Sequence, residues 1–304
     1  MTTERTPAVL VGVDGSPESL AALRWAALHA SACGRRLVVA NAWQRGRPMV
    51  ENPGSSPETI ERAYTDALAD LVGGELAALA LEIDTDVTVL RGDPADALLE
   101  HAVRSGASLV VVGACGAGGA TRALLGSVSS HLTSCPVRTV AVVPTRVDAP
   151  SGAPDVAAGV APYVVGLDGS DGSSRAVRWA LSAARSEGRE VVAVHVVELP
   201  IADPTPAQAQ ALSDEAMARA RTEWCAPLVE AGVSHRVVIE SGSADEALRR
   251  VAARLHPAAV VVGSRGRGPI SQRLLGSVTH RLLRELDVPV VVVPSSRDCP
   301  IWQP

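Results

Sequence analysis

Two residue types are missing from this 304-residue chain: phenylalanine and, of more chemical consequence, lysine, so all 28 basic side chains are arginine. A Walker-type phosphate loop needs a lysine beside the β- and γ-phosphates, and a protein-kinase site needs its strand lysine. Neither can be built here. Schiff-base chemistry on a lysine amine is excluded on the same ground. Cysteine is sparse: Cys33, Cys115, Cys135, Cys225 and Cys299 form no CxxC pair, and their odd number makes a poor disulfide framework. The seven histidines show no HExxH or paired ligand spacing, so no catalytic metal is expected. No stretch reaches the roughly 18 apolar residues of a membrane helix. The first residues lack the apolar core of a signal peptide. With a net charge of −5, general attraction to nucleic acid or an anionic membrane is not expected either. These absences together predict a reduced, cytoplasmic setting.

What is present is a repeat. VGVDGSPESLAALRWAA at 11–27 returns as VGLDGSDGSSRAVRWAL at 165–181, which places Asp14 and Asp168 154 positions apart. Gly113 and Gly263, in two matching glycine-rich runs, are 150 apart, so a small deletion lies between. Residues 145–161 are rich in Pro, Gly, Ala and Asp without sustained periodicity. The repeat predicts domains over 1–147 and 161–304, joined by a linker at 148–160.

Within each copy short β-branched runs alternate with longer helical patterns. In the first, strands are expected near 8–13, 36–42, 83–90, 108–113 and 139–143, with helices near 17–32, 57–81, 94–105 and 127–135. The second repeats the strands near 162–167, 190–197, 233–240, 258–263 and 289–293. Apolar runs such as LVVVG carry no polar alternation, which suits parallel strands covered on both faces. The fold class is α/β: two tandem doubly wound, Rossmann-like domains with five-stranded parallel sheets. Ser16-Pro17 and Asp93-Pro94 read as helix starts. Pro136 should shorten the last helix of copy one, where copy two has Leu286.

The fourth strand of copy one runs into Gly113-Ala114-Cys115-Gly116, then nine residues, then Gly126-Ser127-Val128-Ser129; copy two has Gly263-Ser264-Arg265-Gly266, nine residues, and Gly276-Ser277-Val278-Thr279. Glycines let backbone N–H groups approach a phosphate, and the following helix start adds donors and a favourable dipole. Ser127 and Ser277 are placed either to cap that helix or to offer a hydroxyl to an anion. Asp14 and Asp168 end the first strand of each copy, beside the switch point where such sheets bind ligands. A carboxylate there accepts hydrogen bonds from a base or ribose and repels phosphate, so base and sugar belong by the aspartate and phosphates by the glycines. The competing reading makes each aspartate a turn residue. Arg265 and Arg267 are either phosphate ligands or solvated charges. Cys115 sits beside backbone amides of the kind that lower a thiol pKa, but a reactive thiol is the less favoured reading because copy two has Arg there. His195, inside VVAVHVV, reads as a core histidine, as Trp25 and Trp179 read as core.

With both glycine patterns in register, each with its aspartate and the RWA of 24–26 and 178–180, the chain resembles the universal stress protein family, specifically its tandem-domain ATP-binding branch. That resemblance implies adenine contacts by Asp14 and Asp168, with Ala42 and Val196 near the base. It places Gly113, Gly116, Gly126, Ser127, Val128 and Ser129 around ribose and phosphates in copy one. Gly263, Gly266, Gly276, Ser277, Val278 and Thr279 do so in copy two, with Arg265 added. Copy one departs with Ala114, Cys115 and Ala117 where copy two has Ser264, Arg265 and Arg267, and Ser243 is read opposite Pro94.

The expected function is an ATP-binding stress-response regulator or sensor, taking ATP, ADP or AMP with Mg²⁺ brought in by the nucleotide. It is not expected to be a fast enzyme. A slow ATPase or phosphoryl or nucleotidyl transferase is one alternative, and a ligand-free assembly protein pairing through exposed final strands is another. A homodimer of tandem chains is the expected assembly, with a protein partner as yet unidentified.

Overall fold

The computed structural model describes residues 7–43, 57–116, 125–134, 136–144, 160–197, 205–266 and 275–295. Arg267, Ala117 and, apart from Val160, the expected linker 148–160 lie outside them. The chain divides into two compact units, Met1–Leu132 with Val140–Thr145, and Thr133–Thr139 with Arg146–Pro304.

Unit one runs β1 (Ala8–Gly12), α1 (Pro17–Ala32), β2 (Arg36–Trp43), α2 (Pro57–Ala78), β3 (Thr85–Arg91), α3 (Pro94–Ser105), β4 (Ala107–Gly113), α4 (Ser127–Ser134) and β5 (Thr139–Val143). Its strands lie in the order β3-β2-β1-β4-β5. Strand β1 pairs in parallel with β2 through Val9↔Leu37 and with β4 through Val9↔Leu109. Residues Ala8 to Val11 are fully buried, as β-branched and aliphatic side chains on both faces of a covered parallel strand must be.

Unit two repeats the plan with β6 (Tyr163–Leu167), α5 (Asp171–Glu187), β7 (Val191–Val197), α6 (Pro206–Arg219), a π-turn (Ala220–Trp224), α7 (Ala226–Glu230), β8 (His235–Ser241), α8 (Ala244–Leu255), β9 (Ala259–Gly263), α9 (Ser277–Glu285) and β10 (Val290–Val293). The order is β8-β7-β6-β9-β10, with β6 parallel to both β7 and β9. Each unit is thus a doubly wound α/β sheet whose strand order reverses between its first and fourth strands. A crevice opens there, beyond the carboxyl ends of the strands.

Local chemistry sets the helix starts around that crevice. Ser16 and Ser170 cap α1 and α5, each side-chain oxygen accepting the N–H three residues on at 3.2 Å. Asp93 caps α3 by accepting from the Ala95 N–H at 3.0 Å. In unit two Ser243 occupies that N-cap position. The pairing read from the sequence therefore shifts by one residue: Ser243 corresponds to Asp93, and Ala244 to Pro94. Helix α4 spans eight residues and α9 nine, and Leu286 ends α9 in an extended conformation rather than prolonging it.

Candidate functional site

The first strand of each unit ends in a sharp turn built on its aspartate. Gly15 and Gly169 adopt φ of 82° and 73°, a region that penalises any Cβ. Asp14 Oδ1 accepts the Ser16 N–H at 3.0 Å and the Ser16 hydroxyl at 2.5 Å, and Asp168 Oδ1 accepts the Ser170 N–H at 2.9 Å. The turn role thus occupies one carboxylate oxygen. The other faces the glycine loop: a Cβ on Gly116 would stand 2.6 Å from Asp14 Oδ2, and one on Gly266 would collide with Asp168 Oδ2. The second glycine of each motif leaves room for the aspartate oxygen in the position it holds.

The first glycine has a different cause again. A Cβ on Gly113 would lie 2.8 Å from the backbone carbon of Glu18, and one on Gly263 would lie 2.7 Å from that of Gly172. These glycines let the first turn of α1 or α5 press on the end of β4 or β9. The sequence pattern assigns them to a phosphate, but protein packing already demands them.

The third glycine begins the helix. The Gly126 N–H donates to the Ala114 carbonyl at 2.8 Å and the Gly276 N–H to the Ser264 carbonyl at 2.9 Å, closing each loop on itself. Ser129 and Thr279, both buried, donate their hydroxyls inward: Ser129 to the Ala114 carbonyl and Thr279 to the Gly263 carbonyl, each at 2.9 Å. With the glycine N–H groups used in the loop and these hydroxyls turned inward, the donors left at the cavity are the other first-turn N–H groups of each helix. Ser277 is the first residue of α9, after a Gly276 N-cap that supplies no side-chain acceptor. Capping is therefore not its role, and its exposed hydroxyl stands beside first-turn N–H groups that the cap leaves without a side-chain partner.

Each unit gathers these parts around one cavity. That of unit one, about 290 Å³, is lined by Asp14, Ala42, Gly113 and Gly116 on the strand side and by Gly126, Ser127, Val128 and Ser129 on the helix side. That of unit two, about 590 Å³, has Asp168, Val196, Gly263, Arg265 and Gly266 facing Gly276, Ser277, Val278 and Thr279. Every candidate site residue lines one of the two. The sequence motifs leave out the far wall: Pro94 and Leu98 in unit one, Ala244 and Leu248 in unit two. They come from the first turns of α3 and α8, which open at the same end of the sheet. The Asp93-Pro94 helix start is the signal that points to them.

His195 is a further site residue that the motifs do not include. Half-buried in the wall of the second cavity, it donates Nδ1–H to the Leu167 carbonyl at 2.8 Å and meets the Trp224 ring edge-on at 4.8 Å. Asn41 makes the matching bond in unit one, from Nδ2 to the Val13 carbonyl at 2.6 Å. Arg265 lines its cavity half-buried, with no side-chain hydrogen bond or ion pair among the described residues. At Cys115 the backbone amides do not prevail. Burial pushes its thiol up, the Glu18 carboxylate adds to the rise, and the opposing Gly126 N–H does not outweigh them. Among the described residues neither cavity holds a His, Cys, Asp and Glu cluster of metal-binding geometry. No helix among them is long and apolar enough to cross a membrane.

Known proteins resemble this chain in sequence and in fold. The sequence profile of the universal stress protein family matches residues 7–144 and again 162–294. A universal stress protein of Mycobacterium tuberculosis is 33% identical over 307 residues, covering 95% of this chain and 97% of the relative. One from Mycolicibacterium smegmatis is 30% identical and covers 94% and 96%. The crystal structure of a universal stress protein from Archaeoglobus fulgidus superposes with a TM-score of 0.66 over 95% of this chain and 98% of its own, at 21% identity, a likeness of fold. Two profile matches, one over each doubly wound unit, together with relatives matched along nearly their whole length, establish that the chain belongs to the universal stress protein family.

Proposed function

We propose that each unit binds an adenine nucleotide and that occupancy, rather than turnover, is what the protein transmits as a cytoplasmic stress-response regulator. The observation that carries this reading is a juxtaposition made twice: a strand-end aspartate and an uncapped helix start face each other across one cavity. The aspartate end suits the hydroxyls of a sugar or the amino group of a base. The helix start, rich in N–H donors, suits phosphate. Both cavities have walls of small and branched apolar residues, as small-molecule sites do. Mg²⁺ would arrive with the nucleotide. The chain's own contribution would be to hold base and phosphates apart at the two ends.

Binding is favoured over catalysis because one oxygen of each aspartate is held in its own turn and the chain has no lysine to act on a transferred phosphoryl group. The proposed domain limits are 1–147 and 161–304 with a linker at 148–160, and the proposed assembly is a homodimer of tandem chains. Mass spectrometry of nucleotide released from the purified, denatured protein should find ATP, ADP or AMP. Equilibrium dialysis should show saturable retention of ATP and AMP. No retention of either at about 1 mM nucleotide, where even a weak site of about −4 kcal/mol is half filled, would overturn the reading.

A further inference from the structure

We propose that the two units take different classes of nucleotide: unit two a di- or triphosphate, unit one a nucleoside or nucleoside monophosphate. The proposal rests on the reading that both cavities hold adenine nucleotides and adds what distinguishes them.

Size is the first difference, about 590 Å³ in unit two against about 290 Å³ in unit one. Charge is the second and decides the class. Unit two places Arg265 in its cavity wall, half-buried and without a partner among the described residues. A guanidinium so held can engage phosphate oxygens through charge-assisted hydrogen bonds. Unit one has Cys115 at that position, a thiol whose raised pKa keeps it neutral at physiological pH.

The neighbouring residue reinforces the contrast. Glu18, whose backbone packs on Gly113, lies close enough for its carboxylate to act on Cys115. Its counterpart in unit two is Gly172, packed on Gly263 with no side chain at all. A carboxylate beside the first loop repels each added phosphate charge, and its absence from the second removes that penalty. The N-caps that precede the far-wall helices differ in the same sense, Asp93 in unit one and the neutral Ser243 in unit two. Unit two does carry nearby acids of its own, but Arg175 engages Asp171 at 2.8 Å and Arg281 engages Asp245 at 3.0 Å. Residues 117–124 and 267–274, outside the described set, contain one and two arginines respectively, so loop composition does not reverse the difference.

Calorimetric titration of the nucleotide-free full chain with ATP and AMP in Mg²⁺ tests this. The wild type should bind about one ATP tightly per chain, whereas AMP fills both units. Filling the base end of one cavity isolates the other. Val196→Trp should leave a site with no preference for ATP over AMP, and Ala42→Trp a site preferring ATP about ten- to a hundredfold, the range of one charged hydrogen bond. Arg265→Cys should remove most of that preference and hardly change AMP binding. Cys115→Arg should bring ATP into unit one. The Arg265→Cys and Cys115→Arg results decide the matter even where a tryptophan variant fails to fold. Equal ATP-to-AMP ratios in both units, or an Arg265→Cys loss that is the same for ATP and AMP, would overturn the proposal and leave nucleotide binding standing. Absence of binding by the wild type would instead remove the underlying reading, and the proposal with it.

Discussion

Unit one crosses from its second to its third strand on a single 22-residue helix, α2, whereas unit two makes the same crossing with α6, the π-turn and α7. The crossing in unit two is one residue longer from helix start to strand start and contains a π-bulge. The Cys225 N–H reaches back to the Ala220 carbonyl at 2.9 Å to close that wide turn. Its product is Trp224, which supports His195 in the cavity wall. Unit one, without the bulge, has Gly73 and Gly74 in mid-helix and then Glu75, which takes Arg24 of α1 in a bidentate pair at 2.6 and 2.9 Å. Unit two instead buries Cys225 fully in this crossing, its thiol pushed up to about 11 by desolvation. The same crossing is fastened by an ion pair in one unit and by apolar burial in the other. The described turns at the two cavities share their glycines and their closing hydrogen bonds, so the divergence visible among the described residues lies in side chains and in the elements behind them.

The largest expected effect tests how far the shared part is shared. Gly113→Ala and Gly263→Ala each thrust a Cβ to 2.8 or 2.7 Å from the backbone of a neighbouring helix, and backbone cannot rotate out of the way. Each should destabilise its unit by about 1–3 kcal/mol, the cost of overpacking. Urea unfolding of the two variants should give equal losses. A loss confined to one variant would show that the units do not rely on the same contact between helix start and strand end.

A smaller effect, of opposite sign in the two units, should appear where the third helix of each copy ends. Gly106 closes α3 at φ 68°, and His256 closes α8 at φ 42°, a left-handed conformation that a histidine holds at a cost. His256→Gly should stabilise unit two by about 1 kcal/mol, and Gly106→Ala should destabilise unit one by a similar amount. Thermal or urea unfolding reads both. A neutral His256→Gly would mean that the histidine ring compensates its own strain.

The repeat, the element order and the strand-end aspartates are legible in the sequence because each depends on local rules: unbroken apolar runs, Ser-Pro and Asp-Pro helix starts, and glycine spacing. The members of the site motif are legible, but their reasons are not. Gly113 answers to Glu18 and Gly263 to Gly172, contacts between residues about 90 positions apart that no local pattern encodes. The cause of Cys115's state is hidden for a related reason. Backbone amides beside a thiol are visible in sequence, whereas its burial and the carboxylate of Glu18 arrive only with the fold. His195 looks like a core residue because its strand is apolar throughout, and the π-turn that brings Trp224 to it leaves no mark in periodicity. The replacement of Arg265 by Cys115 is plain from alignment of the copies, and only the cavity wall gives it a consequence.

The smallest effect concerns how the third and fourth helices are tied together, and it separates the units by pH. In unit two Asp245 at the start of α8 meets Arg281 of α9 at 3.0 Å; in unit one Asp96 of α3 meets His131 of α4 at 3.5 Å. Desolvation alone would raise the Asp245 carboxyl, but the Arg281 hydrogen bond, together with the charges of Arg281 and Arg249, holds it below the usual range. A carboxyl whose folded pKa is depressed stabilises the fold at pH above its unfolded value of about 3.9, and that contribution disappears as pH falls through the folded value. The arginine pair is therefore intact across the neutral range, whereas the histidine pair attracts only while the imidazole is protonated. Asp245→Asn should cost unit two a small stability at pH 7 that vanishes towards pH 2. Asp96→Asn removes a longer contact between two largely exposed side chains, 3.5 Å against 3.0 Å, and should cost unit one less. Urea midpoints of the two variants against wild type across pH 2 to 8 measure both. Parallel profiles for the two would show that neither pair's charge state matters to the packing of these helices, leaving apolar contact as the tie in both units.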